Sequence, residues 1–151
     1  MPSLIRWPKQ IPAGTTSKQA NITMDMTATI LAVTGTKPPD GRLLDGIDIL
    51  PIIKGEKPIQ ERTFFWRLPL MPNENCTPTH SNFQCQLQKA VRKGNWKYVL
   101  DGYEKLEFLF DLETDPGEKQ TLAYKHPEIV RELRDLMKQW EKDVPIIQNV
   151  K

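Results

Sequence analysis

The stretch Lys89–Leu100, KAVRKGNWKYVL, decides how the second half of this chain is read. Two strand-like runs, Lys89-Ala90-Val91-Arg92 and Trp96-Lys97-Tyr98-Val99-Leu100, flank the turn Lys93-Gly94-Asn95, a pattern that predicts a β-hairpin. Working outward, Thr63-Phe64-Phe65-Trp66 reads as a strand upstream. Glu107-Phe108-Leu109-Phe110-Asp111-Leu112 reads as another downstream, stopped by the turn Thr114-Asp115-Pro116-Gly117. Pro127 then opens a helix in which Ile129, Val130, Leu133, Leu136, Met137 and Trp140 share one face, with charges opposite. Strands followed by one amphipathic helix predict an α+β layer, an antiparallel β-sheet packed by a long C-terminal helix.

The first half reads differently. Leu4-Ile5-Arg6-Trp7 is a short strand stopped by Pro8, and the turn Ile11-Pro12-Ala13-Gly14 follows. Next comes a helix capped by Asp25, with Met26, Ile30, Leu31 and Val33 on its apolar side and Gly35 as its stop. After the loop Lys37-Pro38-Pro39-Asp40-Gly41, a second short helix runs from an Asp48 cap to a Gly55 stop. Its Ile49, Ile52 and Ile53 share a face, and Pro51 is tolerated because it lies in the first turn. The predicted division is therefore residues 1–59, residues 60–145 and a tail, 146–151.

Bulk properties exclude some classes. At 151 residues the chain can bury a core, and a net charge of +2 points to no nucleic acid or other polyanion as partner. Its 13 prolines are nearly twice the usual share of ~5%, so much of the backbone runs through turns and extended linkers. No apolar run reaches the ~18 residues that cross a bilayer, so no membrane partner is expected, and Met1-Pro2-Ser3-Leu4 does not open a signal peptide. Asn21-Ile22-Thr23 and Asn75-Cys76-Thr77 fit the glycan-acceptor pattern and hint at secretion. The two cysteines, Cys76 and Cys85, either bridge across a short polar segment or remain free thiols in a reducing compartment.

Little chemistry converges in the linear sequence. A zinc site needs three or four ligands, and the two histidines and two cysteines have no close ligand spacing. His126 precedes a helix-starting proline and reads as a boundary residue, while His80 falls in the cysteine loop. There is no Gly-rich phosphate cradle, no Gly-x-Ser-x-Gly elbow and no His-Glu-x-x-His. Asp40, Asp45 and Asp48 lack the spacing and closing glutamate of a calcium loop and suit helix caps and turns better. Lys89, Arg92, Lys93 and Lys97 make a basic hairpin, which without a stacking array of aromatics reads as a solvated face. Taken alone, these residues do not make an enzyme.

The order of landmarks, however, resembles the C-terminal part of the type I sulfatases, the arylsulfatase-like family of sulfuric ester hydrolases. The resemblance begins with Pro2-Ser3-Leu4-Ile5-Arg6-Trp7-Pro8 and Ile11-Pro12-Ala13-Gly14, then takes in the Asp25 helix. Leu44-Asp45-Gly46 and Leu50-Pro51-Ile52-Ile53-Lys54-Gly55 follow, then Glu61-Arg62-Thr63-Phe64-Phe65-Trp66. Lys89 to Tyr98, Leu109 to Glu118, and His126-Pro127-Glu128 with its helix complete it. One departure lies in the first turns of the Asp25 helix, where the family usually has proline and threonine and this chain has Ala28-Thr29.

The resemblance implies that residues 1–59 end a large, alkaline-phosphatase-like α/β domain and that residues 60–145 form the small C-terminal subdomain. It implies a formylglycine, made from a cysteine or serine in a Cys-x-Pro-Ser-Arg motif, and calcium in the full-length enzyme. Cys76-Thr77-Pro78-Thr79-His80 imitates that motif but departs at Thr79 and His80 and lies on the wrong side of the Leu4-Ile5-Arg6 strand. No catalytic residue, metal ligand or cofactor is therefore carried onto this chain, and a missing N-terminal domain is its expected packing partner. Trp66, Arg67, His80 and Lys89 are the candidates for the rim of a pocket that takes a sulfated small molecule or glycan. The alternative is a non-catalytic module that binds sulfated or anionic glycans through the basic hairpin. The resemblance leans towards a secreted, periplasmic or lysosomal location.

Overall fold

The computed structural model describes residues 3–41, 43–69, 87–101 and 105–144. The chain divides into two compact units, Met1–Glu61 and Arg62–Lys151.

The second unit holds strands β1 (Thr63–Pro69), β2 (Leu87–Lys93), β3 (Trp96–Asp101) and β4 (Leu106–Asp111), and the helix α3 (Pro127–Asp143). The strands form one antiparallel sheet in the order β1-β2-β3-β4. Gly94 makes the β2–β3 turn possible: its φ of 58° lies in the left-handed region, and Lys93 pairs with Trp96 across the two-residue connection.

Register then selects the core. Phe65 pairs with Val91, Val91 with Tyr98, and Tyr98 with Leu109, which puts all four on one face of the sheet. Helix α3 lays Val130, Leu133 and Met137 against that face, and Val91, Tyr98 and Leu109 are fully buried beneath it. Each such side chain contributes roughly 1.5–3 kcal/mol by leaving water. Trp140 extends the helical stripe and stacks on Phe65, with ring centroids 5.2 Å apart and planes 4° from parallel. His126 stands at the start of α3 without a side-chain cap, and Pro127 follows where its missing N–H costs nothing. The α+β layer expected from the sequence is present.

The first unit holds α1 (Thr23–Thr34) and the single-turn helix α2 (Leu50–Ile53). Three features differ from expectation. Leu4-Ile5-Arg6-Trp7 is not a strand: the segment carries no ladder, and Leu4 is 97% exposed. A strand exists only by pairing, and no described segment runs beside this one.

The cap of α1 is also shifted. Ile22 takes the cap position and Asp25 stands three residues in, where its Oδ2 reaches back to accept the Ile22 N–H at 2.8 Å. Likewise, Ile49 rather than Asp48 precedes α2, although Asp48 Oδ1 accepts the Leu50 N–H at 3.0 Å. Gly35, at φ 66°, ends α1 as expected.

Candidate functional site

Three groups of polar side chains are built into the scaffold. The first lies at the end of α3. Arg67 and Lys89 are register partners on β1 and β2, on the helix side of the sheet. The Arg67 guanidinium sits 5.4 Å from the centroid of the Trp140 ring, and its Nη2 donates to the Val144 carbonyl at 3.3 Å. Lys89 Nζ meets Glu141 Oε1 at 2.6 Å. Both cations therefore brace the last turn of α3, where the exposed carbonyls favour positive charge.

The second group joins the middle of α3 to the sheet. Arg134 makes a bidentate pair with Glu107, each bond 2.6 Å, and the buried Tyr98 hydroxyl donates to Glu107 Oε1 at 2.5 Å. The Arg134 guanidinium, with help from the Tyr98 hydroxyl, holds the Glu107 carboxyl below the usual carboxylate range, although burial opposes this. Burial, followed by the bond to Glu107, pushes the Tyr98 phenol well above the usual tyrosine range. Such perturbed groups can mark active sites, but here each is committed to a partner within the scaffold.

The third group organises the first unit around the fully buried Asp25. Asp25 Oδ1 accepts the Ile47 N–H at 3.0 Å, and Thr29 Oγ1, one helical turn on, accepts the Ile49 N–H at 3.0 Å. Gln19 does similar work, its Oε1 accepting the Gln60 N–H at 2.9 Å and its Nε2 donating to the Gln60 carbonyl at 3.2 Å. These bonds satisfy backbone amides that no ladder reaches.

Of the four rim residues proposed from the sequence, Arg67 and Lys89 come together. Trp66 lies on the opposite face of the sheet, tilted against Phe64 at 6.0 Å, and so does not join them. His80, Cys76 and Cys85 lie outside the described residues. The basic hairpin is largely paired: Lys93 with Glu132 and Lys97 with Glu118, both at 2.6 Å, as Lys89 is with Glu141. Arg92 Nε donates to the Gly94 carbonyl at 3.1 Å. Nothing in the linear sequence marks Tyr98, Glu107 and Arg134 as partners. Strand alternation puts Glu107 on the same face as Leu109, but only the register brings Tyr98 to it.

Among the described residues, no group of three or more His, Cys, Asp or Glu side chains could hold a metal ion. They do not fit the calcium that the resemblance implies for full-length members.

The fold is that of the C-terminal sulfatase domain. It superposes with a TM-score of 0.69 on a protein solved with its substrate D-glucosamine-2-N,6-O-disulfate, over 97% of this chain and 29% of that one, at 17% identity. A structure described as a 2-O GAG sulfatase gives 0.54, over 79% of this chain and 24% of that one, at 26% identity. Residues 1–143 match the family described as N-sulphoglucosamine sulphohydrolase, C-terminal, and the chain belongs to that family. It is 29% identical over 148 residues to N-acetylgalactosamine-6-sulfatase of Sus scrofa, covering 89% of this chain and 28% of the relative. It is 28% identical over 152 residues to N-acetylgalactosamine-6-O-sulfatase of Bacteroides thetaiotaomicron, covering 91% and 26%. The chain spans about a quarter of the length of the curated relatives it matches.

Proposed function

We propose that this chain is the C-terminal portion of a sulfatase that hydrolyses sulfate esters, and that it supplies scaffold and pocket rim rather than the reacting groups. The observation that carries this reading is the family match through residues 1–143 in a chain about a quarter as long as its relatives. Hydrolysis of a sulfate ester needs preorganised positive charge around the transferring group, from a metal held by carboxylates or from Arg and Lys clamps. Most cations of the hairpin are instead spent on Glu141, Glu132 and Glu118. The same pairing weighs against a free-standing module that binds anionic glycans.

On this reading residues 1–59 complete the large α/β domain, and residues 60–145 are the small subdomain. Calcium and the formylglycine belong to the N-terminal part, which is also the packing partner. Arg67 and Lys89, on the two strands that flank residues 70–86 in the sequence, are the described candidates for the pocket rim, and His80 is the candidate within that segment. The relatives named for N-acetylgalactosamine 6-sulfate make a 6-sulfated hexosamine the first substrate to test.

The test compares the full-length protein with the purified 151-residue chain. The full-length protein should release sulfate from N-acetylgalactosamine 6-sulfate, and the shorter chain should release none. Release by the shorter chain, abolished by Cys76→Ala, would overturn the reading.

A further inference from the structure

Among the described residues, only Asn21-Ile22-Thr23 fits the Asn-x-Thr acceptor pattern, and nothing in the sulfatase reading uses it. The triplet lies where the chain enters α1, with Asn21 and Thr23 both exposed. Ile22 between them is extended, at φ −132° and ψ 161°. An asparagine beside a helix start usually caps it, its side chain accepting a backbone N–H. Asn21 does not: Ile22 holds the cap position, and Asp25 accepts the Ile22 N–H. Asn21 Oδ1 takes only a long bond from Ser3 Oγ, at 3.4 Å, and its Nδ2 has no partner among the described residues. Asn95, by contrast, commits its Nδ2 to Glu113 at 2.7 Å. Thr23 is equally uncommitted. Thr29 and Thr34 in the same helix bond the Ile49 N–H and the Ile30 carbonyl, whereas the Thr23 hydroxyl bonds nothing among the described residues.

We propose that Asn21 is an N-glycosylation site, taking an oligosaccharide from a lipid-diphosphate donor as the chain is exported. Asn21 Nδ2 forms a bond to the anomeric carbon of the first sugar and loses a proton, while the bond from that carbon to the lipid diphosphate breaks. Thr23 is the hydroxyl that the transferase reads two residues downstream. The fold tolerates the product, because the new group extends from an exposed residue and displaces at most the long Ser3 contact. It also puts a hydrophilic group at the head of a helix whose only charged residue, Asp25, is buried. The proposal is independent of the sulfatase reading: it needs export past a transferase, not an active enzyme.

The full-length protein is isolated from the organism that makes it, and its N-glycans are removed enzymatically in heavy-oxygen water. This converts a glycosylated asparagine to a labelled aspartate, which mass spectrometry reads on the peptide carrying Asn21. Most of that peptide should carry the label. An unlabelled Asn21, in a sample where other glycoproteins of the same cells are labelled, would overturn the proposal.

Two variants secreted from yeast test the triplet itself. Thr23→Ala should lose the label and Thr23→Ser should keep it. Label that survives Thr23→Ala would mark spontaneous deamidation and overturn the proposal, as would its loss in both variants of a well-secreted protein. The reading on the unsubstituted protein needs no variant to fold, so it decides the matter even where a variant is not secreted.

Discussion

Gly46 lies against the peptide between Met24 and Asp25 so closely that no side chain fits between them. A Cβ there would overlap the Met24 carbonyl and stand 2.8 Å from the Asp25 nitrogen. This close approach lets Asp25 and Thr29 accept the amides of Ile47 and Ile49. Gly46→Ala must therefore push the loop off the helix and strain both bonds. The expected cost is at the upper end of the ~1–3 kcal/mol typical of overpacking, because the atom it meets is backbone. Gly117→Ala is the control: its Cβ would meet only the flexible Lys119 side chain, at 3.2 Å, and should cost within ~0.5 kcal/mol. Urea unfolding of both variants measures the difference, and equal midpoints would refute the steric account.

The Tyr98–Glu107–Arg134 network predicts opposite trends at the two ends of the pH scale. Glu107 has a lowered pKa in the fold, so its contribution is fully present above the ordinary glutamate range and disappears as pH falls through the folded value. Tyr98 has a raised one, so its contribution is present below the ordinary tyrosine range and disappears as pH rises through the folded value. Glu107→Gln should flatten the acid limb of stability against pH. With both side chains about a third exposed, the loss at neutral pH should be about 1 kcal/mol at most. In a spectroscopic titration, one of the three tyrosines should stay un-ionised until the sheet unfolds.

Trp140 is the point where Phe65, Arg67 and the end of α3 meet. Trp140→Ala should cost about 2 kcal/mol or more, since it removes a stacked ring and frees the Arg67 side chain. In the full-length protein, Arg67→Gln tests the rim role. A residue that binds the sulfated substrate without reaching the reacting bond should raise KM and leave kcat unchanged. A change in neither, with only a lowered melting midpoint, would assign Arg67 wholly to bracing α3.

Local patterning made the second unit legible. Alternation in Trp96–Leu100, the Gly94-Asn95 turn and the one-sided stripe of α3 each fix their own element, and together they force a meander with a helix on one face. The first unit was harder to read because side chains, not ladders, hold it together. Asp25 does bond the start of α1 through the Ile22 N–H, but it is also a buried bracket for a segment 22 residues away. Ile49 and Ile52, on the shared face of the second helix, are 1% and 5% exposed. Leu4 and Ile30 do stay open, at 97% and 57%. Of the rim candidates, Trp66 and Arg67 are neighbours in sequence, but strand alternation puts them on opposite faces of the sheet.

That contrast between bracketed and exposed residues predicts unequal hydrogen exchange in the 151-residue chain. The amides of β2, β3 and α3 belong to elements that bury Val91, Tyr98, Leu133 and Met137 completely or nearly so, and they can exchange only when that core opens. α1 has one packed side, and Met26, Ile30 and Val33 outside it meet water. Its amides should therefore exchange through a local opening that leaves the sheet intact, and markedly faster. Adding denaturant below the unfolding transition should accelerate the sheet amides and barely change those of α1, because a local opening exposes little new surface. A monomeric sample in which α1 and α3 exchange equally slowly, with the same denaturant dependence, would show that the first unit is complete without an outside partner.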